Sequence, residues 1–288
     1  MKRRVLGGTG MSVSEFALGA MMLGAMGNTD HDESVRIIHT ALDAGINFVD
    51  TADVYSRGES EEIVGRALKG RRDDVVLATK FALPMGPDAN QAGGSPRWIG
   101  RAVENSLRRL DTDYIDLYQM HRPDHHTDID ETLAALSYLV HAGKVRAIGS
   151  STFPVELIVE AQWIADKRGH HRFRTEQPKH SILNRTIEAA VLPTAQRFGM
   201  GVLTYGPLSS GLVVRTGGPN QGPPRGGGGG QDLRPHGTGK PGETGGHPAA
   251  HTTCGRSGNA ADAPRHGVRQ VAPRGHVGPH RPAETRTP

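Results

Sequence analysis

Three features of the sequence predict a parallel α/β fold of the (β/α)8 barrel type, incomplete in that seven strands are recognisable. Short apolar runs alternate with helical patterns in repeats of roughly 30 residues, the length of a strand–helix–strand unit. The runs are unbroken rather than alternating, as expected of strands covered on both faces. Polar residues recur where the runs end, and the C-terminal strand ends of such barrels carry their chemistry. The strands centre near residues 16, 49, 77, 118, 148, 177 and 203. An open doubly wound sheet is the competing architecture. It would carry a glycine fingerprint at its first strand–helix turn, and none stands there.

Residues 5–19 hold two apolar runs separated by Gly7-Gly8-Thr9-Gly10. No helical pattern follows, and Met11-Ser12-Val13-Ser14-Glu15-Phe16-Ala17-Leu18 reads as a strand, so the glycines predict a turn and not a dinucleotide phosphate loop. After Leu18-Gly19-Ala20-Met21-Met22 a helix is expected over 32–44, with Ile37, Ile38, Ala41 and Leu42 on its apolar face and Gly45 as its stop. A strand over 48–50 follows. Ser60-Glu61-Glu62 opens a helix that runs to Gly70, with Ser60 as N-cap and the acids suiting the positive end of the helix dipole. Next come a strand over 75–80, a loop with Pro84, Pro87 and Gly93-Gly94, and a helix over 96–110. A strand over 115–121 and a helix over 129–142, closed by Gly143, continue the alternation. A strand over 145–151, a helix over 154–167, a weaker strand over 175–180, a helix over 186–198 and a strand over 201–205 complete it.

Composition divides the chain into 1–214 and 215–288. The second part holds 18 of the 39 Gly and 11 of the 19 Pro, and its only large apolar side chains are Leu233, Val268, Val271 and Val277. It also carries ten Lys+Arg against four Asp+Glu, whereas the first part has 24 against 26. The basic balance of the whole chain therefore says nothing about partners of the first part, and no nucleic acid is expected there. Cys254 is the single cysteine, so no intramolecular disulfide can form. The basic start, Met1-Lys2-Arg3-Arg4, is not followed by an apolar secretory region, and no run has the length of a membrane span. The expected compartment is the cytoplasm, with no membrane partner.

Four polar residues stand at or just after successive strand ends: Asp50, Tyr55, Lys80 and His121. Taken singly, each has a plainer reading, the Asp as a loop cap, the Tyr or Lys at a rim, and the His as a strand terminator. Together, an acid, a phenol, an amine and an imidazole make a centre for proton transfer. A free phenol has a pKa of roughly 10, and an adjacent ammonium is expected to lower it. His125-His126 and the histidines of the second part lack Cys or acidic ligands at metal spacing, so no metal site is expected.

The motifs Asn47-Phe48-Val49-Asp50-Thr51-Ala52-Asp53-Val54-Tyr55, Gly58-Glu59-Ser60-Glu61, Ala78-Thr79-Lys80 and Asp113-Tyr114-Ile115-Asp116-Leu117-Tyr118-Gln119-Met120-His121 are joined by three later ones. These are Gly143-Lys144-Val145-Arg146-Ala147-Ile148-Gly149-Ser150-Ser151, Glu176-Gln177 and Tyr205-Gly206-Pro207-Leu208-Ser209-Ser210-Gly211-Leu212. In this order, over residues 1–212, the sequence resembles the aldo-keto reductases, in the branch with potassium-channel beta subunits and bacterial aldehyde reductases. The resemblance implies a (β/α)8 barrel, NADPH as cofactor, and a catalytic set of Asp50, Tyr55, Lys80 and His121 acting on a small carbonyl substrate. Asp50 would orient Lys80, and a neutral His121 would donate to the substrate oxygen. The resemblance also implies that Ser151, Thr152 and Gln177 hold the nicotinamide carboxamide, with Thr152 standing where many relatives have Asn. Tyr205 would stack on the nicotinamide ring, Pro207, Leu208, Ser209 and Gly211 would lie near the pyrophosphate, and Ala20 and Met21 would line the nicotinamide pocket with Asp50. Oligomeric state and substrate identity are not specified.

The family pattern ends near residues 212–214, before the segment that grips the 2′-phosphate in relatives. The Gly/Pro/Arg-rich remainder cannot bury enough apolar surface to offset its ordering entropy, so 215–288 is expected to be disordered. A shifted reading frame is the favoured origin of this composition. A genuine appendage, or an RNA-binding tail lacking the usual aromatic residues, are the alternatives. A barrel short of its last elements raises two further functional readings, an inactive reductase product and a cofactor-binding regulatory module.

Overall fold

The structure is a computed structural model that describes residues 1–209. The expectations for 215–288 and for Gly211 fall outside the described residues.

The chain opens with a hairpin. Strand β1 (Arg3–Val5) pairs antiparallel with β2 (Ser12–Ser14), Arg3 facing Ser14. The glycine cluster makes the turn, as its composition predicts. Gly7 has φ 53°, and a Cβ there would stand 2.5 Å from the carbonyl oxygen of Arg174, so the residue permits both the conformation and the approach of two chain segments. The single strand expected over 11–18 is divided. Asn47 explains why. Its Oδ1 accepts from the Ser14 amide, its Nδ2 donates to the Ser12 carbonyl, and its own amide donates to Ser14 Oγ. These bonds fasten the hairpin beneath the sheet, Phe16 is left exposed, and the sheet begins with a separate strand, β3 (Leu18–Gly19).

Seven parallel strands lie side by side in chain order: β3, β4 (Phe48–Asp50), β5 (Val76–Phe81), β6 (Ile115–Met120), β7 (Val145–Ser151), β8 (Thr175–Gln177) and β9 (Gly201–Val202). Helices α1 (His31–Asp43), α2 (Glu59–Leu68), α3 (Pro96–Leu110), α4 (Ile129–His141), α5 (Val155–Arg168) and α6 (Val191–Arg197) connect them. This is the alternation read from the sequence. Among the described residues β3 and β9 are the sheet's two edges.

Helix starts follow capping chemistry. Asp30 accepts from the Glu33 amide ahead of α1, and Ser95 accepts from the Trp98 amide ahead of α3, with Pro96 in the first turn. Ser60 is not the cap it was expected to be. Gly58, at φ 99°, turns the chain into α2 instead, and Ser60 lies buried inside the first turn. Its hydroxyl donates to the Ala20 carbonyl and contacts Thr51 Oγ1, tying α2 to two strand ends. Three later elements are shorter than the sequence pattern suggests, among them β9, which ends at Val202 and not at residue 205. Pro178 has no amide to donate to the ladder, and β8 stops at Gln177. A helix over 186–198 would place the Pro193 ring against the carbonyl of residue 189, so the segment forms a short turn at Thr186–Glu188 and then α6, with Pro193 in its first turn.

Side chains alternate across each strand, and the inward set changes character along the strand axis. At the N-terminal end Phe48, Ala78, Leu117 and Ala147 meet Leu6 and Val13 of the hairpin in a small apolar cluster. The hairpin thus plugs that end of the sheet. The opposite faces of the strands supply Val49, Leu77, Phe81, Tyr118 and Ile148 to the main core, shared with the helices. Two positions further along the inward face stand Asp50, Lys80 and Gln119, all polar.

Candidate active site

The period-2 rule takes an apolar floor to a polar upper layer on the same face of the same strands. Asp50 ends β4, Lys80 is next to last in β5, His121 follows β6, and Gln177 ends β8. Lys80 sits opposite Gln119 in the ladder, and Ser151 opposite Gln177.

Lys80 is wholly buried. Its Nζ donates to Asp50 Oδ2 at 2.5 Å and to the Thr51 carbonyl at 2.9 Å, and it lies 3.4 Å from Tyr55 Oη. The other carboxylate oxygen of Asp50 accepts from Gln119 Nε2 and from Gln177 Nε2, each at 3.0 Å. Asp50 is thus held at both oxygens, in a plane fixed by three strands. Tyr55 reaches the centre from the loop after β4. Ser56, Arg57 and Gly58 all have positive φ, a local strain that turns the chain sharply behind the phenol. The Ser56 hydroxyl donates to the Leu23 carbonyl and fixes this turn. The rings of Tyr55 and His121 meet edge-on, with centroids 5.7 Å apart.

The electrostatics follow from burial and from two nearby cations, Lys80 and Arg122. Burial works against the Lys80 ammonium, but Asp50 and Tyr55 more than offset it and its pKa lies above the ordinary value. Burial pushes the Tyr55 phenol up. Lys80 pulls it down, as the sequence suggests, but burial wins and the phenol is held protonated. His121 is held neutral, its pKa depressed to about 3 by burial first and then by Lys80 and Arg122.

A cavity of about 620 Å³ runs between the two edge strands, lined at its upper end by Gly19, Asp50, Gln177, Tyr205 and Pro207. The other residues expected at a cofactor lie outside that lining. Ala20 is fully buried, its amide donating to the Asp50 carbonyl, and Met21 is half-exposed. The Ser151 hydroxyl donates to the Gln177 carbonyl. Thr152 Oγ1 accepts from Arg122 Nη1 and lies 3.4 Å from Tyr205 Oη. Leu208 is exposed, and the Ser209 hydroxyl donates to Ser181 Oγ.

Three residues of the site escaped the sequence reading as functional groups. Gln119 had a signal in its parity, two residues before His121 on the same strand face. Arg122 had none, because its bond to Thr152 joins two strands' ends. Glu176 had none either. It points away from Gln177 and is fully buried, accepting from Ser150 Oγ at 2.5 Å and from the Phe153 amide at 3.1 Å. Burial outweighs these bonds and raises its pKa to about 7.

Among the described residues no group of His, Cys, Asp and Glu is arranged to hold a metal ion, and no helix is long and apolar enough to cross a membrane.

The profile described as the Aldo/keto reductase family matches residues 15–228. The chain is similar to the uncharacterized oxidoreductase YrpG of Bacillus subtilis (strain 168), with 44% identity over 225 residues, covering 74% of this chain and 68% of that protein. It is also similar to a probable voltage-gated potassium channel subunit beta of Oryza sativa subsp. japonica, with 36% identity over 220 residues, covering 74% of this chain and 66% of that protein. Among solved structures it resembles the holo form of the aldo-keto reductase AKR11C1 from Bacillus halodurans. The TM-score is 0.67 at 39% identity, covering 76% of this chain and 71% of that one. The chain spans about two thirds of the length of such curated relatives. The solved structure agrees with the barrel-type sheet, and by profile and relatives the chain belongs to the aldo/keto reductase family.

Proposed function

We propose that this chain is an NADPH-dependent oxidoreductase that reduces small aldehydes or ketones to alcohols, with Tyr55 as the proton donor. The observation that carries this reading is Lys80, buried without solvent contact between the Asp50 carboxylate and the Tyr55 phenol. A buried ammonium held by one carboxylate and reaching one phenol has little structural purpose, since an apolar side chain of similar volume would cost less to bury.

The residues present fit the nicotinamide part of the cofactor. The cavity beside Asp50 offers the Tyr205 ring as a flat apolar surface and the Gln177 side chain as a polar group. Asp50, Gln177, Tyr205 and Pro207 would hold it there, with Ser151 and Thr152 behind them. When bound, NADPH supplies the hydride. Everything else falls to the chain. Tyr55 is protonated at neutral pH, the form a donor must have. As its proton leaves, the phenolate forms beside the Lys80 ammonium, which stabilises it. Asp50 fixes the position of Lys80, and Gln119 and Gln177 fix Asp50. His121 is neutral and so keeps one N–H to donate without carrying charge into the pocket.

Tyr55→Phe tests the reading. It keeps the ring against His121 and removes the hydroxyl that carries the proton. It is expected to lower kcat by about a hundredfold to ten-thousandfold, the usual share of a positioned acid, while NADPH still binds when followed by its fluorescence. An unchanged kcat would rule out Tyr55 as the donor. Saturable NADPH binding without turnover in the native chain would instead favour a cofactor-binding regulatory module, the reading suggested by the similarity to a potassium channel subunit beta. No NADPH binding would favour an inactive reductase product.

A further inference from the structure

Among the described residues, the upper layer of the site holds a cation that the tetrad of Asp50, Tyr55, Lys80 and His121 does not neutralise. Lys80 is paired with Asp50, and His121 is neutral. Arg122, the residue after His121, is half-buried at the rim of the same strand ends. Among the described residues its hydrogen bonds run from Nη1 alone, to the His121 carbonyl at 2.7 Å and to Thr152 Oγ1 at 3.0 Å. Both partners are neutral oxygens. They orient the guanidinium without cancelling its charge, and Nε and Nη2 are the edge of the fork that suits a carboxylate.

The surroundings give that edge somewhere to work. Arg122 lines a cavity of about 410 Å³ between the loops that follow β5 and β6, with Ala82, Leu83, Pro84 and Pro123 as its apolar walls. Ala82 stands two residues after Lys80 and Arg122 directly follows His121, so the cavity lies beside the ends of the two strands that carry them. One carboxylate, Asp124, also lines it. That group is already committed, accepting from the amides of Gly94 and His126 and from Thr127 Oγ1. Behind the strand ends Glu176 feels the Arg122 charge, but among the described residues no carboxylate is bonded to Arg122, so its fork is the cationic group the cavity offers a ligand.

We infer that Arg122 selects substrates, and that the preferred class is an aldehyde or ketone carrying a carboxylate, which Arg122 grips while the carbonyl faces Tyr55 and His121. This rests on the reductase reading given above and narrows its substrate. Arg122 would also report on the cofactor side, because it holds Thr152 at the rim where the two ligands would meet.

Two substrates that differ only in charge test it: para-carboxybenzaldehyde and its methyl ester, each with saturating NADPH. The native chain is expected to favour the acid by about tenfold to a hundredfold in kcat/KM, the range of a charge-assisted hydrogen bond. Arg122→Gln is expected to bring the acid-to-ester ratio to about one, with Arg122→Lys falling between because it keeps the charge and loses the fork. Each ratio is taken within one protein, so a partly misfolded variant does not distort it. An acid-to-ester ratio of one or less in the native chain, or a ratio that Arg122→Gln leaves unchanged, overturns the inference and leaves the reductase reading standing. Turnover of neither aldehyde would remove the reductase reading itself, and the substrate class with it.

Discussion

Lys80 can be charged and buried only because Asp50 is, and Asp50 is held by two glutamines from strands well separated in sequence. The neighbouring ionisable groups divide by sign. His121 has a folded-state pKa of about 3, well below its ordinary 6.5, so it stays neutral throughout the working range. Its contribution to stability is present above 6.5 and is lost as the pH falls toward about 3. Glu176 is the opposite case. Its folded-state pKa is about 7 against an ordinary 4.5, so the folded chain binds that proton more tightly than the unfolded chain does. Its contribution is full below 4.5 and is lost as the pH rises to about 7. The size is about 3 kcal/mol at most. Glu176→Gln keeps a carbonyl for Ser150 and Phe153 and removes the titration. Urea unfolding at about pH 5 and about pH 8 should show the native chain losing stability relative to the variant as the pH rises. Parallel behaviour of the two proteins would mean that Glu176 does not titrate in this window.

The loop between β4 and α2 is the element most exposed to backbone error, since it carries Tyr55 through three successive left-handed residues. Gly58 is the critical one. A Cβ added there would meet Arg109 Cδ at 2.6 Å, at a φ of 99° that side-chain-bearing residues rarely adopt. Arg109 is the partner of Glu61, which is fully buried, so displacing it leaves a carboxylate without its cation. Gly58→Ala is expected to cost roughly 1–3 kcal/mol from strain alone, and more if the ion pair opens. It should also lower kcat, because Tyr55 lies on the same turn. Unfolding midpoint and turnover measured together check this, and a stable variant with native kcat would show that the turn tolerates a side chain.

At the scale of the whole molecule the hairpin closes the N-terminal end of a sheet whose two edges are β3 and β9 among the described residues. Leu6 and Val13 reach up between the strands to Phe48, Ala78, Leu117 and Ala147, directly below the polar layer. Leu6, Val13 and Phe48 also line the cavity that reaches Asp50, which makes the hairpin a wall of the site as well as part of the fold. Leu6→Ala should cost about 2–5 kcal/mol, the range for a buried leucine truncated to a methyl. Because the cavity it leaves opens toward the tetrad, the loss should also appear in kcat. Chemical unfolding checks the first effect, and a loss below about 1 kcal/mol would mean that the hairpin packs on the sheet only loosely.

Local sequence specifies the alternation of strands and helices, the parallel barrel-type sheet, Asp50, Lys80 and His121 at strand ends and Tyr55 in the loop after β4. These are local properties. A strand end is marked where an apolar run stops, and parity decides which face a residue takes, so both can be read within a few residues. The tertiary structure decided what depends on contacts between distant positions. Gln119 and Gln177 bond Asp50 across 69 and 127 residues, and no local pattern encodes such partners. The same holds for the division of the first expected strand, which rests on Asn47, and for Ser60, whose hydroxyl serves Ala20 and not its own helix. It holds for the protonation of Tyr55 as well. Sequence shows that a lysine is nearby, but only burial, a property of the packed whole, decides that the proton stays on the phenol.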